Sequence, residues 1–394
     1  MTIQQIFQYT GYLAILTLGL SFLFSFFDLK KKRILKKKVP ISVCIPCYND
    51  GDSIEMTINS LFKSYPKELI ELFVVNDKSK DDSLNKLIAL QDTYPFTLIN
   101  NEINLGKSES LNQISEYATH DILMFVDADI LLKPENINDM LARLEKDKVA
   151  GVSCPYKPYN KGFWPLMQEI EYNMLSTIQG AYNIFGAMAM WGGCIMIQKD
   201  AFKKAGKFSL QAITEDMDLA FKLNELGYKV QQSFHKVETV VPDTWKELYK
   251  QKIRRNSGGA QCFIKYWKVW IKNPLHVIFV VSFNISIVGF VRGIMQQGII
   301  LNVLLEKKDF VQSLISLFTL ADIGNSLLRK FAFTWLSFPY VLPLIRQWKQ
   351  FWKFLYVLPF SIIYIPIYTY MGAIGLIKGI IIYRKLEYGK KRGW

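Results

Sequence analysis

The sequence predicts an α/β domain with a mostly parallel sheet, placed between two apolar regions that anchor it in a membrane. Three observations support this class. Residues 1–27 carry no charged side chain, residues 39–273 alternate β-rich runs with helical patterns, and the chain is apolar again after Pro274. We therefore divide the chain into an anchor with a basic run (1–38), an α/β domain (39–273), and a C-terminal membrane region with a basic tail (274–394).

The N-terminal segment is typical of an uncleaved membrane anchor. Its apolar stretch, Tyr9–Phe27, is about as long as a membrane span, and its positive charge follows the apolar core, whereas a secretory signal carries its charge first. The basic residues after the stretch are Lys30, Lys31, Lys32, Arg33, Lys36, Lys37 and Lys38. Because basic flanks stay on the cytoplasmic side, we expect an integral protein of the plasma membrane with its α/β domain in the cytoplasm.

The composition supports a membrane partner over a nucleic-acid partner. The formal net charge is +14, but the lysines border an apolar span, where they attract anionic lipid headgroups. No DNA or RNA recognition motif accompanies them. The five cysteines and three histidines are scattered along the chain, a pattern typical of a reducing compartment.

The α/β domain is predicted from four strands and the helices that follow them. The strands are Ile41–Ile45, Leu69–Val75, Phe96–Ile99 and Asp121–Val126. Helical spacing appears at Ile54, Ile58, Leu61 and Phe62, at Leu84, Leu87 and Ile88, over Lys107–Ala118, and after Pro134. Ligands of such sheets bind beyond the carboxyl ends of the strands, so the polar residues at these ends are candidates for function.

Two further segments point to the bilayer. Residues 244–257 are amphipathic, basic and aromatic, as expected of a helix lying on the membrane surface. The C-terminal apolar segments are Leu275–Leu305, Phe310–Leu320, Phe331–Ile345 and Phe354–Ile382, and a basic tail from Arg384 favours a cytoplasmic C-terminus. The number of membrane helices in this region stays open.

Carboxylates follow two of the predicted strands. Asp77 ends the second strand, and Asp127 and Asp129 end the fourth, two residues apart and on the same side of an extended backbone. Such a pair favours a bound cation between or beside it, and oxygen ligands favour Mg²⁺ or Mn²⁺. An ordinary acidic turn is the alternative for this pair alone.

A third acidic group and a basic pair lie further along the chain. Glu215 and Asp216 follow Thr214 at the start of a helical pattern, where helix capping is an alternative explanation. Gln251 and Arg254 lie in the predicted surface helix, where the Arg side chain either grips a diphosphate or contacts a lipid headgroup.

In this order, the motifs resemble those of the family 2 glycosyltransferases, specifically the membrane-embedded branch that includes cellulose, chitin, hyaluronan and poly-N-acetylglucosamine synthases. The resemblance runs from about Ile41 to Gly259. The matching residues are Pro46, Tyr48, Asn49 and Asp50; Asp77, Ser79 and Asp81; Asn104, Gly106, Lys107, Leu111 and Asn112; Asp127 and Asp129; Thr214, Glu215, Asp216, Asp218 and Leu219; and Gln251 and Arg254. Asn76 and Lys78 depart from the pattern.

The resemblance implies a GT-A (Rossmann-like) fold and an inverting, metal-dependent transfer from a UDP-sugar to a polysaccharide or lipid-linked acceptor. It assigns the nucleotide-sugar site to Tyr48, Asp77, Lys107, Asp127, Gln251 and Arg254, and the acceptor side to Trp191, Gly192, Glu215 and Arg255. By the same resemblance Asp129 ligates the Mg²⁺ or Mn²⁺ ion, and Asp216 is the general base.

One departure bears on the acceptor. Processive synthases of this family carry Trp after the Gln-x-x-Arg pair, where this chain has Arg255. Either Trp191 or Trp245 replaces that aromatic side chain, or the acceptor differs. Two activities therefore stay open, the extension and secretion of a β-linked polysaccharide, with an accessory subunit possible, and a single transfer to a lipid or polyisoprenyl acceptor.

Two other classes are disfavoured. A transporter usually carries buried charges along its path, and the apolar segments hold few, with Arg292 as the exception. A thiol oxidoreductase would place its C-x-x-C at a helix start, whereas Cys44 and Cys47 straddle the end of a predicted strand.

Overall fold

The computed structural model describes residues 35–183, 186–187, 189–272, 276–277, 356 and 359–387. The strands in these ranges are β1 (Ile41–Cys47), β2 (Ile70–Asn76), β3 (Thr97–Asn100), β4 (Ile122–Val126), β5 (Ile130–Leu131), β6 (Val149–Ser153), β7 (Tyr156–Pro158), β8 (Cys194–Gln198), β9 (Lys229–Gln232) and β10 (Val237–Thr239). The helices are α1 (Ile54–Ser64), α2 (Ser83–Leu90), α3 (Lys107–Tyr117), α4 (Pro134–Leu144), α5 (Phe163–Tyr182), α6 (Lys199–Lys204), α7 (Glu215–Glu225), α8 (Trp245–Lys265), α9 (Trp267–Trp270) and α10 (Ile365–Glu387).

The main sheet has seven strands in the order β3-β2-β1-β4-β8-β6-β9. The four predicted strands are its first four members and run parallel to one another, which confirms the predicted β-α-β rhythm. Strand β8 runs antiparallel to β4 and β6, so the sheet is mixed. The antiparallel insertion brings Gly193, just before β8, next to Asp127, just after β4.

Both faces of the sheet are covered, which explains why its central strands β1, β2 and β4 are mostly apolar. On β1, Val43 and Ile45 pack into the core that holds Ile58 of α1, while Cys44 packs into the core on the other face. Cys47 is also fully buried, and burial raises the pKa of its thiol to about 11. Such a thiol stays protonated at neutral pH, which does not suit redox chemistry.

Helix α8 begins one residue after the start of the predicted surface helix, continues past its predicted end to Lys265, and packs against α10. Its Leu248 and Ile253 are buried. A Cβ on Gly375 of α10 would lie 3.1 Å from the backbone nitrogen of Ser257, so glycine allows the two helices to approach closely.

Among the described helices, none combines the length and the apolar character that a bilayer crossing requires. Helix α10 covers the second half of the predicted apolar segment Phe354–Ile382 and continues to Glu387, so this finding applies to that half. The predicted anchor stretch 1–27 and the predicted segments between residues 278 and 355 lie outside the described residues.

The exposed Lys78 adopts a left-handed backbone conformation (φ 62°) at the turn after β2. This conformation costs a residue other than glycine about 1–2 kcal/mol. Replacing Lys78 with glycine would remove that cost, but part of the gain is lost because glycine increases the conformational entropy of the unfolded chain. We expect Lys78→Gly to raise the free energy of unfolding by about 0.5–1 kcal/mol in denaturant titrations. Lys80→Gly, at an exposed position outside the left-handed region, is the control and should lower it; equal effects would contradict the strain.

Candidate active site

A cavity of about 350 Å³ lies beyond the ends of β4 and β8 and is closed by α5, α8 and α10. It brings together most of the residues that the sequence proposed for function. These are Lys107, Asp127, Asp129, Trp191, Gly192, Glu215, Asp216, Gln251, Arg254 and Arg255. Tyr48 and Asp77 do not line it.

Lys107 joins two carboxylates from distant parts of the chain. Its Nζ lies 2.6 Å from Asp127 Oδ1 and 3.4 Å from Glu215 Oε1, and it donates a hydrogen bond to the carbonyl of Gly192 at 3.3 Å. Burial opposes the charge, but the two carboxylates raise the pKa of Lys107 above its usual value. Lys107 therefore stays charged and fixes α7 relative to the end of β4.

The negative charge of Asp129 is less well compensated by its neighbours than that of Asp127. Its Oδ2 accepts a hydrogen bond from Thr239 Oγ1 at 2.8 Å, yet burial and the neighbouring Asp127 raise its pKa to about 6. This is the behaviour of a carboxylate that lacks a nearby cation. Among the described residues no cluster of three or more His, Cys, Asp or Glu side chains is arranged to hold a metal, but Mg²⁺ commonly binds one or two carboxylates and takes further ligands from substrate phosphates. Asp127 and Asp129 fit that mode.

Asp216 lies in the first turn of α7, at the edge of the cavity. Burial, with a contribution from the Glu215 carboxylate, raises its pKa to about 6. Its Oδ1 accepts a hydrogen bond from the Met217 N–H at 2.8 Å. A Cβ on Gly192 would lie only 2.7 Å from Asp216 Oδ2, so a larger residue at this position of the loop before β8 would displace the carboxylate.

Asp77 organises the loop that carries Lys107. Its carboxylate accepts hydrogen bonds from the backbone N–H groups of Leu105 at 2.8 Å and Gly106 at 2.7 Å, and from the Asn101 side chain at 2.9 Å. The residue is 3% exposed. The contact of Asp77 with a uracil base stays a prediction, as does that of Tyr48, whose side chain is 44% exposed at the end of β1.

Trp191 is 3% exposed and packs in an aromatic cluster. Its ring meets Tyr156 edge-on with centroids 5.0 Å apart and Tyr172 at 5.7 Å, and its Nε1 donates to Gln232 Oε1 at 2.8 Å. The Arg255 guanidinium lies over the ring, 5.7 Å from the centroid. These contacts are those of core packing, and the acceptor-side role that the resemblance assigns to Trp191 stays a prediction.

A buried ionic cluster next to the cavity was missed by the sequence analysis. Glu171 of α5 is 1% exposed, and its Oε2 lies 2.7 Å from Lys252 Nζ and accepts a hydrogen bond from the Tyr364 hydroxyl. Its Oε1 lies 3.7 Å from Arg255 Nη1. Burial lowers the pKa of Lys252 to about 8. The sequence signal was a carboxylate within the apolar helix α5, since such groups are rarely buried without a partner.

Part of the chain is similar to proteins of known family. Residues 42–206 match the family described as Glycosyl transferase family 2, so this part of the chain is similar to a family 2 glycosyltransferase domain. The poly-beta-1,6-N-acetyl-D-glucosamine synthases of Staphylococcus aureus (strain MSSA476) and Staphylococcus epidermidis are 26% and 25% identical over 250 residues. Those residues are 62% of this chain, which spans about 60% of the length of either relative.

A solved structure has a similar fold. The mannosyltransferase PcManGT from Pyrobaculum calidifontis, in complex with GDP-Man and Mn²⁺, matches with a TM-score of 0.57 at 18% identity, covering 98% of this chain and 100% of the other. Together with the family match, this likeness confirms an α/β, GT-A-like fold with a mixed sheet.

Proposed function

We propose that this protein transfers a sugar from a UDP-sugar to an acceptor hydroxyl in the cavity, and that the reaction extends a β-linked polysaccharide at the membrane. The observation that carries the proposal is the placement of Asp216, a carboxylate with a raised pKa, in the same cavity as Lys107, Asp127, Asp129 and Arg254. The names of the staphylococcal relatives make N-acetylglucosamine the first donor sugar to test.

The proposed reaction is a single displacement. The acceptor oxygen forms a bond to the anomeric carbon while the bond from that carbon to the β-phosphate oxygen breaks. Asp216 takes the proton of the acceptor hydroxyl, and UDP leaves with the electron pair. A carboxylate with a pKa near 6 is a stronger base than an ordinary Asp and is still mostly ionised at neutral pH.

The chain's own cations hold the donor. Arg254 presents a planar fork suited to a diphosphate, and Lys107, fixed by two carboxylates, orients Asp127 at the nucleotide end of the cavity. Asp129, with Asp127, would hold Mg²⁺ or Mn²⁺, and a bound divalent cation would neutralise negative charge on the diphosphate. The Mn²⁺ in the complex of the mannosyltransferase supports a metal of this kind.

A single transfer to a lipid-linked acceptor is the second candidate. It is favoured by Arg255, which occupies the position of an acceptor-contacting Trp in processive synthases. The predicted membrane anchors and the plasma-membrane location belong to both candidates, whereas secretion of the product belongs to polysaccharide extension. The half-exposed Trp245, 5.6 Å from Trp164 at the start of α8, supports a contact of this end of the helix with the lipid surface.

The proposal is tested by incubating the purified full chain with a panel of nucleotide sugars and Mg²⁺ or Mn²⁺. We expect UDP release from UDP-N-acetylglucosamine that requires an added divalent cation. Product length then separates polymer extension from a single transfer. Release of nucleotide from GDP-mannose alone would contradict the proposed donor.

The dependence of kcat/KM on pH tests whether Asp216 is the general base. Because Asp216 works only when ionised and burial raises its pKa to about 6, kcat/KM should fall about tenfold per unit as the pH drops below 6. The measurement uses saturating Mg²⁺, which keeps Asp129 ionised. UDP binding is measured across the same pH range, so that protonation of Asp216 can be distinguished from weaker binding of the donor. A profile that is flat down to pH 5 would contradict this role.

A further inference from the structure

The acceptor side of the cavity carries a cation where an aromatic side chain is expected. Arg255 lines the cavity beside Trp191, and its side chain is 35% exposed. The next residue after Trp191, Gly192, passes within contact distance of Asp216. Arg255 and Asp216, the proposed base, therefore line the same cavity, on the side that the resemblance assigns to the acceptor.

Neither tryptophan that the sequence offered as a replacement serves as a stacking surface. Trp191 is buried, and the Arg255 guanidinium covers its ring. Trp245 does not line the cavity. It packs on Trp164 and Tyr249 and lies ten residues before Arg255, about 15 Å along a helix.

The hydrogen-bonding capacity of Arg255 is unused within the described part of the chain. Its nearest carboxylate oxygen, Glu171 Oε1, is 3.7 Å from Nη1, which is too far for a hydrogen bond, and no described residue accepts one from it. A guanidinium offers five N–H donors in a planar fork. A partly buried fork without acceptors is suited to an anionic ligand with two oxygens.

Two carboxylates face Arg255, and neither forms a hydrogen bond with its guanidinium. Glu171 is shared between Arg255 and the fully buried Lys252, whose Nζ is 2.7 Å from the other carboxylate oxygen. Asp216 interacts with Arg255 through its charge alone. The short contacts of Glu171 with Lys252 and Tyr364 fix the carboxylate, so it cannot turn to pair fully with Arg255.

We propose that Arg255 binds a phosphate group of the acceptor, so that the enzyme selects acceptor sugars that carry a phosphate near the attacking hydroxyl. This inference rests on the proposed glycosyl transfer and specifies its acceptor class. The phosphate comes either from the carrier of a lipid-linked sugar or from a phosphodiester within a polymer. In both cases the phosphate stays intact, because the sugar hydroxyl, not the phosphate, attacks the anomeric carbon.

The test compares three acceptors with UDP-N-acetylglucosamine as donor: a short-chain prenyl-diphosphate-linked N-acetylglucosamine, an N-acetylglucosamine disaccharide with a methyl phosphodiester, and the same disaccharide without phosphate. We expect the phosphate-bearing acceptors to have a lower KM than the neutral one. If only the prenyl compound is preferred, the phosphate that Arg255 binds belongs to a lipid carrier. If both phosphate-bearing compounds are used equally well, the enzyme recognises the phosphate group whatever it is attached to.

Variants at position 255 identify the residue responsible. Arg255→Gln should raise the KM for phosphate-bearing acceptors about 10- to 100-fold, the worth of a charge-assisted bidentate contact, while the KM for UDP-N-acetylglucosamine changes less than about threefold. Arg255→Lys should lie between, because it keeps the charge but loses the fork. Arg255→Trp should shift the preference to the neutral disaccharide. Lys250→Gln removes an exposed cation from the same helix and is the control.

The outcomes separate this inference from the proposed function. UDP release with equal KM for neutral and phosphate-bearing acceptors, unaffected by Arg255→Gln, would overturn the acceptor assignment and leave the transferase intact. No UDP release with any acceptor would contradict both. Thermal unfolding of Arg255→Gln, compared with the wild type, excludes loss of the fold as the cause of a raised KM.

Discussion

Asp216→Asn should reduce kcat about 10³-fold while leaving the affinity for UDP within about threefold of the wild type. The amide has the shape of the carboxylate but cannot take the acceptor proton. The change also removes one of two neighbouring carboxylates, and burial is the main cause of the raised pKa of Asp216. The folded state should therefore tolerate the substitution.

Calorimetric binding of UDP with Mg²⁺, beside steady-state transfer assays, checks this expectation. Glu225→Gln, at the exposed end of the same helix, is the matched control and should transfer sugar at the wild-type rate. If Asp216→Asn lost UDP binding and catalysis together, Asp216 would be part of the donor site, and the base would have to be sought elsewhere.

Gly258→Ala should lower both the stability and the transfer rate, because Gly258 lies where α8 packs on the segment that carries Asp216. A Cβ at this position would lie 2.5 Å from Thr214 Oγ1 and 2.9 Å from Thr214 Cβ. Overpacking of this kind costs about 1–3 kcal/mol. It should also shift Thr214 and Asp216 relative to Arg254 and Arg255, and a displacement near 1 Å can cost about 10²-fold in rate.

Gly259→Ala is a control on the same helix. A Cβ there would find its nearest atom, Met217 Sδ, 4.0 Å away. Both substitutions gain about 1 kcal/mol of helix propensity, so the difference between them isolates the contact with Thr214. Because Gly259 lines the cavity, the two variants are compared by thermal unfolding, in which Gly259→Ala should match or exceed the stability of the wild type. Equal melting temperatures for the two variants would contradict the packing argument.

Strand ends are the part of the molecule that the sequence predicted well. Asp77, Asp127 and Asp129 follow buried apolar runs, and parallel strands bring their carboxyl ends to one edge. This local pattern needs no knowledge of the rest of the chain. The bounds of α3, which begins at Lys107 as predicted, follow from the same kind of signal.

Contacts between distant segments could not be predicted in this way. Glu171 and Lys252 pair across 81 positions, and neither residue's neighbours reveal its partner. The antiparallel strand β8 and the approach of Gly192 to Asp216 depend on tertiary packing too. The sequence also could not reveal that the Arg255 guanidinium lies over the Trp191 ring, because this contact depends on tertiary packing as well.

The anomeric configuration of the product tests the central claim most directly. A single displacement with Asp216 as base inverts the anomeric carbon, so an α-linked UDP-N-acetylglucosamine should give a β-linked product. Proton NMR of the product formed on a defined acceptor, recorded before any later reaction, reads this configuration from the coupling of the anomeric proton. The β configuration is the predicted result; an α-linked product would contradict the displacement at this site.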